Sequence, residues 1–240
     1  MQRIEEYSKI DIALAPQALS SNNIISQYFD MKDSLRALAW LQIAGMAAAT
    51  TVKLEVFQGI SAAGTSGALL PSAVCTIAAN VGVTSAKVTL TSVLNAQTLT
   101  ITVGGVAYVF TADTDTTTPS ARKFSIAGSN DEDAALLAGL INGVDYGVPG
   151  LQASVAANVI TLTALPAGDA TITLAASDST CALATLSAQC FVSVDNLSLT
   201  LDRDHIALKV TSTATGSVCA FLLRESRNSP SQKVAVWAAL

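Results

Sequence analysis

A two-residue rhythm that repeatedly starts and stops limits what this chain can become. Over residues 35–43, Ala37, Ala39, Leu41 and Ile43 fall on one side, with Arg36, Leu38, Trp40 and Gln42 on the other. Residues 51–58 set Val52, Leu54 and Val56 against Lys53, Glu55 and Phe57. The pattern returns over 197–201 and 206–211, and 218–223 reads as a buried strand. Successive side chains of a strand point to opposite faces, so such runs predict strands with one face on a core. Residues 24–29 and 73–79 are further strand-like runs. The turn-prone Ser20-Ser21-Asn22-Asn23 cluster and the small-residue loop 59–67 punctuate them. Many short strands of this kind predict a sandwich or barrel, not a helical bundle.

Residues 82–189 have another style. Strands are predicted at 87–91 and 98–103, and Gly104-Gly105 then signals a two-residue hairpin, because both turn positions need positive φ. The chain returns over 107–111, and a short strand follows near Phe124. A helix starts at Ser129-Asn130, with Asp131, Glu132 and Asp133 in its first turn, where the helix dipole favours anions. Ala134, Leu137, Ala138 and Ile141 form its apolar stripe, and Gly143 is expected to stop it. A hairpin around Ala157-Asn158 joins 152–156 to 159–163, and 170–175 is a last strand.

Charge separates the same two parts. Residues 82–189 hold three basic side chains (Lys87, Arg122, Lys123) against eight acidic ones (Asp113, Asp115, Asp131, Glu132, Asp133, Asp145, Asp169, Asp178). That stretch therefore carries the whole net charge of −5, and the remainder is balanced. No cluster of Lys and Arg exists to hold nucleic acid, so none is expected as a direct partner. Mean hydropathy is +0.47. The longest apolar run, 37–49, is nevertheless broken by Gln42 and Gly45, and no membrane span is expected. Arg3, Glu5, Glu6, Lys9 and Asp11 near the start predict no secretory leader, hence synthesis in the cytoplasm.

Only 13% of the residues are charged, against about 25% in an ordinary soluble domain. A compact monomer of 24.6 kDa exposes on the order of 10,000 Å², which leaves roughly one charge per 300 Å². Apolar surface on that scale belongs to interfaces, so much of this surface is expected to be covered by copies of the chain or by a larger assembly.

The residues that bear chemistry are few and apart. His205 is the only histidine, in Asp202-Arg203-Asp204-His205, and reads as a strand-entry turn. Cys75, Cys181, Cys190 and Cys219 form no C-x-x-C pair, sit among small aliphatic neighbours and are expected as free thiols. Asp113-x-Asp115 and Asp131-Glu132-Asp133 lack the EF-hand spacing and read as loop solvation and helix capping. Gly104-Gly105 is not followed by the Gly-Lys-Ser/Thr of a phosphate loop. No catalytic, cofactor-binding or metal residue is assigned; the chain is expected to be no enzyme and to use no cofactor.

Two stretches resemble known families. Residues 98–112, the helix 133–142 and the hairpin 151–164 with Asn158 at its turn resemble an insert-like module of tailed-bacteriophage structural proteins, over most of 86–176. Tyr28-Phe29-Asp30-Met31, 51–58, 202–211 and 220–227 resemble phage capsid decoration (cement) proteins. The departure is at the end, where Arg227-Asn228-Ser229-Pro230 and an apolar terminus replace an Arg-Tyr-Lys-Pro-like arm.

The fold expected is mainly β, a jelly-roll-like β-sandwich interrupted by a small α+β insert domain. Its parts are an N-terminal arm (1–20), a discontinuous sandwich (21–81 with 190–224), an acidic insert (82–189) and a C-terminal arm (225–240). The resemblance implies a virion protein on the capsid surface that bridges capsomers, with the major capsid protein and itself, as a homotrimer, for partners. The insert could contact a host surface. The alternative is a tail, neck or fibre-base protein of the same virion.

Overall fold

A computed structural model describes residues 8–19, 22–46, 50–165, 171–213 and 215–226. It is mainly β, and its strands are numbered below in chain order. Seven form one antiparallel sheet, in the order β1 (Ser8–Leu19), β16 (Gly216–Ser226), β4 (Ser34–Met46), β14 (Cys181–Asp195), β7 (Ser85–Leu90), β12 (Val159–Ala164) and β11 (Leu151–Ala156). A second antiparallel sheet runs β2 (Asn23–Ile25), β15 (His205–Ser212), β5 (Thr51–Gly59) and β6 (Ala68–Ala78), with β3 (Phe29–Asp30) also on β15. The third is β10 (Lys123–Ser125), β9 (Val106–Asp113), β8 (Thr98–Val103) and β13 (Ile172–Ala176).

The first two sheets face each other as the alternation requires. Ala37, Ala39, Leu41 and Ile43 of β4 are buried, as are Val192 and Val194 of β14 and Ala220 and Leu222 of β16. They share one core with Val52, Leu54 and Val56 of β5 and Ile206, Leu208 and Val210 of β15. Strand β14 packs on β5 and β6, and β1 on β15. Alanines on β4 let larger aliphatic side chains approach, which is how two sheets fill the space between them.

The helix α1 (Asn130–Ile141) begins where its first turn dictates. The Ser129 hydroxyl accepts the Glu132 backbone N–H, and Glu132 Oε2 accepts the Ser129 N–H at 2.8 Å, a complete capping box. Its buried Ala134, Leu137, Ala138 and Ile141 form the expected stripe. It packs on β7, β10, β11 and β12. Asn142 caps its end and clasps Ala153 of β11, donating to the carbonyl at 2.7 Å and accepting the N–H at 2.8 Å. Gly104 and Gly105 turn at φ +57° and +81°, as the hairpin requires.

Four expectations are corrected. The supposed N-terminal arm is, over its described residues, strand β1, paired with β16 along its length with register shifts between Ile12 and Leu14 and between Leu14 and Gln17. Residues 181–189 belong to the 15-residue β14, so the boundary placed at 189/190 falls inside one strand. Residues 197–201 are not a strand: Asp195 accepts the Leu197 N–H at 2.9 Å and starts a 3-10 turn, and buried Gln58 holds Thr200 through two 2.8 Å bonds. Local side-chain bonds of this kind compete with a sheet ladder. The run 24–29 is split, because the Ser26 hydroxyl takes the Leu208 N–H at 2.9 Å. Of the C-terminal arm, 225–226 end β16, and 227–240 lie outside the described residues. Among the described residues, no helix is long and apolar enough to cross a membrane.

Candidate interaction face

The residues singled out for chemistry remain apart. His205 opens β15 opposite Asp30 and Gly59, and its Nδ1 bonds the Asp204 carboxylate. Lys32 reaches the same carboxylate at 3.1 Å. Burial pushes the Asp204 carboxyl up, but its bonds to His205 and Lys32 outweigh this and hold it below the ordinary value. The trio fastens a loop to the strand entry, with the Met31 N–H on the Asp204 carbonyl at 2.6 Å. Asp113 is held low first by the Asp115 backbone N–H and then by Lys123, 3.0 Å away. Among the described residues, no group of three or more His, Cys, Asp or Glu could hold a metal ion.

All four cysteines are free. Cys181 and Cys190 lie nine positions apart on one strand, about 30 Å of extended chain, far beyond the reach of a disulfide. Burial pushes the Cys181 thiol up to about 11. It raises Cys190 as well, and the neighbouring Cys75 thiol on the facing sheet raises it further.

What the register does assemble is an apolar block on the outside of the seven-stranded sheet. On β4 the side chains opposite the core are Arg36, Leu38, Trp40 and Gln42, one of the two faces that the alternation separates, since the other is buried. Register sets Ile12 beside Phe221, Phe221 beside Trp40, and Trp40 beside Phe191. Two residues along, Ile10, Leu223, Leu38 and Ser193 form a second row across the same four strands. Ile10, Ile12 and Phe191 are 59%, 64% and 49% exposed. The seven apolar side chains present on the order of 500 Å², at the size of the largest, often functional, patch on a monomer.

The rows to either side are polar. One is Ser8, Glu225, Arg36 and Asp195, where Arg36 pairs with Glu225 and that carboxylate raises the guanidinium's pKa further. The other is Cys219, Gln42 and Gln189. A hollow flanks the aromatic row on each side. One, of about 360 Å³, is lined by Pro16, Gln42, Gln189, Ser217 and Cys219. The other, of about 410 Å³, is lined by Ser8, Arg36, Leu38, Ser193 and Leu223. Farther across the sheet, the side chains facing away from α1 are mostly polar, among them Lys87, Thr89, Thr161, Thr163, Gln152 and Ser154, with Val159 and Ala156 at the hairpin end. One sheet is thus apolar outside over four strands and polar over three.

Ring geometry narrows what the block can bind. Trp40 and Phe191 have centroids 5.7 Å apart and planes at 20°, an offset-stacked pair. Phe221 tilts against Trp40 at 5.6 Å and 43°. The Trp40 indole N–H is buried without a hydrogen-bond partner among the described residues, so ring packing places it. Rings stacked on one another do not make the flat platform a sugar would lie on; they make a ridge suited to packing into another protein surface.

The alternation put Trp40 and Leu38 on one face of a strand without saying which face is outward, and it missed Ile12 and Phe191, because strand pairing is what brings those two beside them. No protein-family model and no curated protein matches the sequence. Among solved structures, the chain is similar to the structure of infectious bursal disease virus Gt strain at TM-score 0.19 and 10% identity, over 93% of this chain and 42% of that one.

Proposed function

We propose that this chain is a structural virion protein that decorates a tailed-phage capsid and stabilises it by bridging neighbouring capsomers. The observation that carries the reading is the apolar block of Ile10, Ile12, Leu38, Trp40, Phe191, Phe221 and Leu223, fixed on a rigid sheet and bordered by rows whose charges largely cancel. Such a face works by covered area, and many copies on a lattice multiply modest contacts into tight attachment. The architecture that goes with it is a jelly-roll-like sandwich whose acidic middle segment, interrupting it, points away from the shell. There its surplus of carboxylates would keep particles apart.

The test mixes purified full-length chain with undecorated tailed-phage shells and measures bound copies by quantitative gel densitometry. Occupancy approaching the number of major capsid subunits is expected. A few copies per particle would place the chain in a tail, neck or fibre base, and no binding to any shell would overturn the reading. Removal of 227–240 is expected to lower occupancy at least tenfold if that terminus adds to attachment.

A further inference from the structure

We propose that two copies of this chain pair face to face through the apolar block, about a two-fold axis that runs across the strands between its two apolar rows. This is read from the face alone and describes the free chain: the block is also the face that the capsid reading uses, so attachment to a shell exchanges the pair contact for the shell contact. It also replaces the three-fold association that the family resemblance implies.

Among the described residues, exposed large apolar side chains also stand in loops and turns, such as Ile60, Leu94 and Val144, and on other strands, such as Ile25 and Val106, whereas this block runs across four paired strands. A ring of three needs two different surfaces that fit each other, but a single patch can be covered by its own copy only in a closed two-fold pair. The block with its two flanking rows reaches the roughly 800 Å² per partner of a standard interface.

Register then specifies the axis. With the axis between the apolar rows, Ile12, Phe221, Trp40 and Phe191 of one copy lie over Ile10, Leu223, Leu38 and Ser193 of the other. The tall aromatic row thereby meets the low row, including the hollow beside Leu38 and Leu223. Sheets stacked in this way keep their strands near alignment at about 10 Å separation. Nothing among the described residues packs over these rows, since α1 and the five-stranded sheet both lie on the opposite side.

Charge agrees with the same axis. The chain nets −5, so two copies repel unless the contact avoids like charges. This axis sets Asp195 over Gln189, Arg36 over Gln42 and Glu225 over Cys219. The amide N–H groups of Gln189 face a carboxylate, and no carboxylate meets its own copy. An axis along the strands would also keep like charges apart, setting Asp195 over Ser8 and Glu225 over Arg36, but it would stack the tall aromatic row on its own copy and leave the low row facing the low row.

Sedimentation velocity of the full chain over a broad concentration range is the test. Wild type is expected at twice 24.6 kDa. Phe191→Lys, at an exposed position, is expected to weaken pairing about 100-fold or more while leaving the circular dichroism spectrum unchanged. Gln189→Asp, which sets a carboxylate opposite Asp195, is expected to weaken it about 5- to 10-fold, and Gln189→Lys to strengthen it. A wild type that stays monomeric at several hundred micromolar, or that forms a trimer, overturns the proposal. So does a dimer indifferent to Phe191→Lys. Equal effects of Asp and Lys at 189 overturn the axis.

Discussion

Tyr28 lies against three glycines of the loop 59–67, and the fit leaves no room for a side chain. A Cβ on Gly59 would sit 2.8 Å from the ring, and one on Gly64 or Gly67 would overlap it. Gly64 also has φ +72°, so Gly64→Ala combines backbone strain with a clash and is expected to cost about 2 kcal/mol or more in urea unfolding. Tyr28→Ala in the same chain should recover part of that loss. Asp133 tests electrostatics within α1. It is 4% exposed, with one carboxylate oxygen unpartnered, and burial raises its pKa against the Gly128 N–H that lowers it. A carboxyl whose folded pKa exceeds the unfolded one binds protons better when folded. Its ionised form therefore costs stability above the folded value, and that stability returns as pH falls through it. Asp133→Asn is expected to raise the urea midpoint at pH 7 and to lose that advantage as pH drops through the raised carboxyl range.

At the level of elements, local bonds decide where strands and the helix begin and end. Removing the Ser129 hydroxyl by Ser129→Ala should cost about 1 kcal/mol, read from the thermal midpoint, because it opens the capping box. Asn158 turns the β11–β12 hairpin and ties it to β7, donating to the Leu90 carbonyl at 2.8 Å, so Asn158→Ala is expected to cost about 1 kcal/mol as well. These elements were legible in the sequence because their signals are local: a cap, a Gly-Gly turn, an alternation with one polar side. Strand β14 was not. Its pairing shifts between Thr185 and Ser187, so the side chains before and after that point keep different parity and no single period runs through it. The segment 197–201 erred the other way, since alternation alone supplies no partner strand. The outer block lay between these cases. Leu38 and Trp40 shared a strand face in the sequence, while Ile12 and Phe191 joined them only through register across 209 positions (Ile12 to Phe221) and 151 positions (Trp40 to Phe191) of chain.

For the whole molecule, the division of charge did not translate into two separable bodies of strand. Residues 181–187 of β14 pair with β7 of the acidic middle segment, and residues 185–195 pair with β4 of the flanking sheet. Losing either ladder strips one side of a shared strand. Differential scanning calorimetry is therefore expected to show a single unfolding transition with matching calorimetric and van't Hoff enthalpies. Two resolved transitions would mean that the two halves melt independently.

That shared strand also fixes how the molecule bears load. A pull on the acidic segment travels down β14 into its ladder with β4, whose hydrogen bonds lie across the line of force. They must then fail together instead of opening one at a time like a zip. A molecule held by its aromatic ridge and tugged from its far end would give way at the grip before it tore at the waist.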